Sequence, residues 1–264
     1  MCDVQDRLSR ESPPLIAPGR PDKPPRKGFM DFFNTSVWYK ELAPWTFPTL
    51  FLELSQEQQE ALAAGKITDP EARKAVHALR PLMKEISGNA FVAVDCCAPT
   101  DTERFENKRG AVYSADSAWK YLALSAKVRA AAAAGQVQNI VIRPFRRMSQ
   151  PREFRLFIEN RRLMAMSQYH LVRHFRRLEG RKEFFWTEAQ KLINATLASK
   201  LPEGRFSMDI YFTASNEILI IDLNAWRTGS PLLFRTWDRE WSEDDGIRLM
   251  PPPVKLSGEV KVSF

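Results

Sequence analysis

The sequence predicts an α+β fold in which antiparallel sheets with flanking helices form two lobes. Two hairpin patterns carry the prediction, one over Glu153–Gln168 and one over Arg205–Trp226, with a long amphipathic helical stretch between them. The third observation is an absence. No glycine-rich loop opens a helix after a strand-like run, which argues against a doubly wound parallel sheet.

Taken in order, residues 1–27 carry six prolines and few large apolar groups, and read as a flexible or polyproline arm. Trp38, Tyr39, Trp45, Phe47, Phe51 and Leu52 supply the first apolar patch. A helix is expected from Ser55 to about Ala64. A second runs from Asp69 to Glu85, capped by Asp69 and opened by Pro70, with Val76, Leu79, Leu82, Met83 and Ile86 as its buried stripe. Pro81 should kink or split it. Asn89–Val94 reads as a strand, and Ser114 opens a helix that should run through the alanines to Gly135. Val137–Arg143 is strand-like. Glu153–Glu159 and Arg162–Gln168 form a hairpin around Asn160–Arg161, and Glu183–Ser199 an amphipathic helix. The expected organisation is an arm (1–27), an N-terminal lobe (28–135), a C-terminal lobe carrying the site (136–250) and a tail (251–264).

The 264 residues are 44% hydrophobic and 27% charged, ordinary for a soluble globular chain, and no apolar run approaches a membrane span. The N-terminal residues include acids where a signal peptide needs an apolar stretch, and three sparse cysteines suit a reducing cytoplasm. The net charge is +7, with twelve Arg and Lys residues gathered between Arg143 and Lys182. Such a field attracts polyphosphate or an acidic protein surface; nucleic acid is the lesser reading, because no aromatic-basic interleaving accompanies it.

The chemistry lies in the last hairpin. Asp209, Asp222 and Asn224 interrupt otherwise apolar strands. With a loop over Ala214–Glu217, Thr213 faces Ile218 and Asp209 faces Asp222, their Cβ atoms about 5 Å apart. Ile218, Ile220, Asp222, Asn224 and Trp226 then share one face. Two carboxylates that close repel unless a cation or proton lies between them. With the Asn224 amide oxygen they suit Mg²⁺, which is completed by waters and phosphates, most simply those of ATP. The other reading is a solvated Asp pair. His170 and His174 are four apart but lack the intervening Glu of a zinc helix, and Cys96 and Cys97 have no His nearby. Trp119 and Trp237 read as core; Tyr169 is either core or cleft wall.

Three stretches, REFRLFIENRRLMAMSQYH at Arg152–His170, FSMDIYF to EILIIDLNAW within Phe206–Trp226 and SPLLFRTWD at Ser230–Asp238, resemble the cell division cycle protein 123 family. The resemblance implies an ATP-grasp fold binding Mg-ATP between two lobes, with Asp209, Asp222 and Asn224 as magnesium ligands. It also implies that Glu153 and Arg155 lie on the nucleotide-facing strand, with Arg155 toward phosphates or an acidic partner group. Arg143, on the strand before the hinge, either meets the α-phosphate or serves as a surface residue. The family's lysine-bearing segment aligns with FVAVDCCAP, placing Ala93 where the lysine stands, Asp95 at the asparagine and Cys96 at the tryptophan. Lys108 is the expected substitute for the lysine. An Arg- and Ala-rich composition suggests a bacterial or viral chain, for which an ATP-dependent ligase or phosphotransferase acting on an acidic small-molecule or protein acceptor is the leading expectation. The alternative is an ATP-binding assembly chaperone, as the eukaryotic members are for translation initiation factor 2.

Overall fold

The computed structural model describes residues 32–253. The expected proline-rich arm and the tail beyond Pro253 lie outside the described residues.

Two sheets organise the chain. The first has strand order β1-β4-β2-β3, all antiparallel, from β1 (Leu50–Glu53), β2 (Ala90–Val94), β3 (Ala111–Val112) and β4 (Asn139–Pro144). The second has order β8-β7-β5-β6-β9, from β5 (Glu153–Glu159), β6 (Arg162–Gln168), β7 (Arg205–Phe212), β8 (Ile218–Ala225) and β9 (Gly246–Arg248). The expected α+β class, two sheets with flanking helices, is the class found. One strand departs from the antiparallel expectation: β9 pairs parallel to β6, which the long connection from Gln168 to Gly246 permits.

The helices are α1 (Thr35–Leu42), α2 (Gln56–Ala63), α3 (Pro70–Glu85), α4 (Glu103–Lys108), α5 (Ala115–Leu124), α6 (Ala126–Ala133), α7 (Arg176–Glu179) and α8 (Lys182–Gln190). Asp69 caps α3 as expected, accepting the Ala72 N–H at 2.8 Å. Pro81 does not split α3. It is exposed, and the His77 carbonyl that loses its donor lies on the same wet side of the helix, where water can serve it. The expected Ser114–Gly135 helix is instead two. Ser125 takes an extended conformation, and its hydroxyl caps α6 by accepting the Val128 N–H while donating to Asp101. The expected Glu183–Ser199 helix also changes character, passing from α8 into a π-helical turn, Lys191–Thr196.

Helices α2, α3, α5 and α6 cover one face of the first sheet around Leu62, Leu79, Trp119, Leu122, Val92 and Ile140. One face of the second sheet buries Phe154, Phe206, Met208, Ile210 and Phe212 against α8. Two segments cross the expected lobe boundary at residue 135. Trp38 and Leu42 of α1 join the core of the second sheet, whereas β4 is hydrogen-bonded into the first. Buried Asp95 fastens this crossing. Its carbonyl accepts the Thr35 N–H, and its carboxylate accepts from the Ser36 backbone and from the backbone and side chain of Asn139. Thr46 adds a second tie by donating to the Ile220 carbonyl at 2.7 Å.

Candidate nucleotide and metal site

The face of the second sheet opposite that core carries the polar groups. The β5–β6 hairpin turns at Asn160 and Arg161 as expected; both have positive φ (48° and 67°), the primed-turn geometry that matches strand twist. Residues alternate along β5, so Glu153, Arg155 and Phe157 share the face opposite the core. Across the sheet, Arg155 lies opposite Asp209, which lies opposite Asp222. One cation and two carboxylates thus stand in a row on three adjacent strands.

The Asp209–Asp222 opposition expected from the sequence is present, but the register reaches it by another route. Phe212, not Thr213, faces Ile218, and Ile210 faces Ile220; an extra residue, Ile221, then restores Asp209 to Asp222. This bulge alters the face assignment. Ile218 and Ile220 turn to the core with Leu223 and Ala225, and only Asp222 and Asn224 remain on the polar face, with Trp226 following. The bulge also frees the Ile221 carbonyl from the ladder. Arg143 of β4 donates to it through Nη1 at 2.8 Å, and through Nε to Thr49 Oγ1 at 3.1 Å. The sheets are joined at the acidic pair by this arginine.

The electrostatics distinguish the two aspartates. Asp209 is buried and accepts both arms of Arg155, Nε and Nη2, at 2.8 Å each, with the Asn224 amide at 3.3 Å. Burial opposes the Arg155 charge, but the Asp209 hydrogen bonds and charge outweigh it and raise its pKa. Asp222 has no such partner. Its Oδ1 accepts the adjacent Leu223 N–H, and the side chain keeps a little exposure on one side. Burial first, then the Asp209 charge, push its pKa up to about 7 against the pull of Arg143. Burial depresses the Arg143 pKa, with Asp222 opposing the effect; the guanidinium lies over the Trp38 ring at 5.5 Å, and its buried Nη2 has no hydrogen-bond partner among the described residues.

The site therefore contains a carboxylate in need of a cation and an arginine nitrogen in need of an acceptor. Among the described residues no three His, Cys, Asp or Glu side chains gather to hold a metal. A magnesium ion would rest on Asp222, the Asn224 amide oxygen and the remaining lone pairs of Asp209. That donor set is all oxygen, as magnesium prefers, and leaves positions for phosphate and water. The residues fit the ion.

Arg143, Arg155, Asp209, Asp222 and Asn224 come together. Glu153 lies on the same face but pairs with His170 at 2.8 Å. Lys108 does not join them; it ends α4 with its ammonium over the Tyr113 ring and forms no ion pair with the acidic cluster. The cleft-facing basic group near Ala93 is Arg143, since Ala93 pairs with Val141 and Phe91 with Arg143 on the neighbouring strand. Tyr169 is a wall of the site: the Arg155 guanidinium lies over its ring at 5.4 Å, and burial pushes its pKa up to about 12. His174 pairs with Glu179, so the two histidines serve different carboxylates and form no zinc pair. Trp119 is core as expected, whereas Trp237 packs with Phe157, Trp226 and Trp241 on the polar face.

Sequence reasoning missed the strap over Arg155. Ser230 accepts Arg155 Nη1 through its carbonyl at 2.9 Å, and Gly229 (φ 74°) passes so close that a Cβ there would lie 3.1 Å from Nη1. The glycine in TGS was the available signal. Gly229→Ala is expected to destabilise the fold by about 1–2 kcal/mol, through backbone strain and displacement of the guanidinium. Thermal unfolding checks it; an unchanged midpoint would remove the strap from the account.

These features define an α+β protein of two sheets that presents a carboxylate pair beside one buried and one half-buried arginine. The model of the D123 family matches residues 112–245, just over half the chain, and the chain belongs to that family. It is 25% identical over 99 residues to the translation initiation factor eIF2 assembly protein of Dictyostelium discoideum (38% of this chain, 26% of that protein). It is 30% identical over 123 residues to the protein of the same name from Emericella nidulans (46% and 28%). The aligned segments thus span about a quarter of the length of these relatives. The structure of C-terminally truncated Cdc123 from Schizosaccharomyces pombe shares the fold, with a TM-score of 0.71 over 85% of this chain and 98% of that one at 19% identity. Among the described residues no helix is long and apolar enough to cross a membrane.

Proposed function

We propose that this protein binds Mg-ATP on the polar face of the second sheet and acts as an assembly factor for a protein partner. The observation that carries the nucleotide half is the pairing of under-neutralised Asp222 with the free Arg143 Nη2 across the junction of the sheets. A magnesium-bound triphosphate supplies both missing charges, a dication at Asp222 and anionic oxygens at Arg143. Arg155, held by Asp209 and Ser230, is positioned rather than free, and so fixes the carboxylate beside the ion.

The assembly half draws on the names of the relatives and on the surface. Of the twelve clustered cations, Arg143 and Arg155 are engaged in the site, Arg152 donates to the Phe212 and Thr213 carbonyls, Arg161 to the Leu201 carbonyl, and Arg162 pairs with Glu243. Arg146, Arg147, Arg176, Arg177 and Lys182 are exposed and have no partner among the described residues. Those five suit an acidic protein surface. The ligase or phosphotransferase reading has less support, because Ala93 presents no charge to the cleft and the relatives are named for assembly.

Calorimetric titration with ATP in the presence and absence of Mg²⁺ tests the proposal. Binding is expected to need the metal, and Arg143→Met is expected to weaken it at least tenfold while ADP stays at background by mass spectrometry. Metal-independent binding, or none, refutes the nucleotide reading; rapid ADP formation with a new adduct supports the ligase instead.

A further inference from the structure

A second concavity lies at the opposite edge of the second sheet from Asp222. β9 is four strand spacings from β8, about 19 Å. The cavity, of about 510 Å³, is bounded by the start of α8, the turn Leu232–Phe234 and the chain from β9 to Pro251. Its floor is apolar, with Leu233, Ile247 and Leu249. Lys182, Arg235 and Arg248 contribute three cations against one acid, Glu179, which already pairs with His174. Lys182 and Arg235 have no ion-pair partner among the described residues, whereas Arg248 pairs with Asp245 at 3.4 Å and lies over the Phe234 ring at 4.2 Å. The turn that presents this rim is held against its backbone preference, for Leu232 (φ 53°) and Arg235 (φ 67°) are non-glycine residues in the left-handed region. Strained backbone of this kind persists where surrounding structure fixes it, and it gathers at binding sites.

We infer that this groove docks a short acidic peptide segment of a protein partner, with an apolar side chain seated on Leu233, Ile247 and Leu249 and flanking carboxylates on Lys182, Arg235 and Arg248. The assignment rests on the reading of the chain as a protein that docks a partner, and not on nucleotide binding. Charge complementarity selects the occupant. The segment 254–264 offers a single acid, Glu259, beside Lys255 and Lys261, and a second copy brings the same +7 net charge. The cavity has the size of an anchor pocket for one or two large side chains. Lys182 and Arg235 on the rim would then set the encounter rate and its salt dependence.

The test uses the full chain and fluorescein-labelled hexapeptides, read by fluorescence anisotropy. The probe Asp-Glu-Leu-Phe-Glu-Asp is compared with one carrying Asn and Gln in place of the acids, and with one carrying Ser in place of Leu-Phe. Saturable binding of the first is expected, with at least a tenfold loss for each of the others. The double variant Lys182→Glu, Arg235→Glu, both at exposed positions, should lose the acidic probe at least tenfold while its titration with Mg-ATP is unchanged. Failure of the acidic probe to bind, equal binding of all three probes, or equal binding by the double variant overturns the groove. Self-association of the wild-type chain in sedimentation, abolished by the double variant, also overturns it in favour of a second copy. Nucleotide binding without peptide binding removes the groove alone, whereas peptide binding without nucleotide binding leaves it standing and removes the Mg-ATP site.

Discussion

Asp222→Asn is expected to act in opposite directions on ligand binding and on the free fold. It should abolish magnesium-dependent ATP binding, because it takes the one carboxylate lacking an internal cation out of the donor set. It should also stabilise the ligand-free protein near pH 8. The sign follows from linkage. The folded pKa is about 7, above the ordinary value of 3.8, so between about pH 4 and 7 the folded chain holds a proton that the unfolded chain has released. Stability contributed by this group is therefore full at low pH, falls as pH rises through that window, and levels off above the folded pKa. A shift of this size corresponds to at most about 4 kcal/mol, and the residual exposure of Asp222 reduces it to about 1–3 kcal/mol. The variant is expected to melt roughly 3–8 °C above wild type at pH 8 and within error of it at pH 4. Wild-type magnesium affinity should fall about tenfold per pH unit below 7, as the metal competes with that proton. Scanning calorimetry at both pH values, with and without Mg-ATP, measures all of these. A variant less stable than wild type at pH 8 would mean that Asp222 is already neutralised, and the site assignment would lose its basis.

How far the sequence disclosed this arrangement depends on whether a residue's role is local or set across strands. Hairpin limits were legible because alternation and turn chemistry act within a few residues: Asn160–Arg161 marks the first turn, and Asp209 with Asp222 interrupts two apolar runs. The bulge at Ile221 was not legible, since Ile, Leu and Ile read equally well on either face of a strand. Breaks in helices behaved alike. Ser125 is an N-cap only because Asp101, distant in sequence, orients its hydroxyl, and Pro81 is tolerated because tertiary packing leaves its face in water. Arg143 was singled out from its strand, but its contact with the Ile221 carbonyl depends on that same bulge. Lys108 was chosen by proximity in sequence to Ala93, whereas the sheet places Arg143 beside that position from a strand some fifty residues on. Gly229 and Ser230 show the general difficulty. A strap is a loop, and loops reveal what they cover only once the covered group is in place.

The Arg155–Asp209 pair should dominate the stability of the polar face. Both side chains are under 10% exposed, joined by two parallel hydrogen bonds, and each has an additional protein partner, the Ser230 carbonyl for Arg155 and the Asn224 amide for Asp209. Arg155→Met alone leaves a buried carboxylate beside Asp222, and Asp209→Leu alone leaves a buried guanidinium with only the Ser230 carbonyl as acceptor; each is expected to cost about 3–5 kcal/mol. The double variant Arg155→Met, Asp209→Leu replaces the pair with apolar groups of similar bulk and should lie within about 1–2 kcal/mol of wild type, because the cost of burying two charges is removed with their attraction. Its coupling energy, measured by urea unfolding of the four proteins, is thus expected to exceed about 3 kcal/mol. Coupling below about 1 kcal/mol would show that water reaches the pair and that the strap at Gly229–Ser230 does not seal it. In the double variant Mg-ATP binding should remain lost even where the fold is restored, since Asp222 alone cannot hold the ion against a proton at neutral pH. Restored folding with restored nucleotide affinity would instead assign Asp209 a purely structural role, as the counter-ion of Arg155.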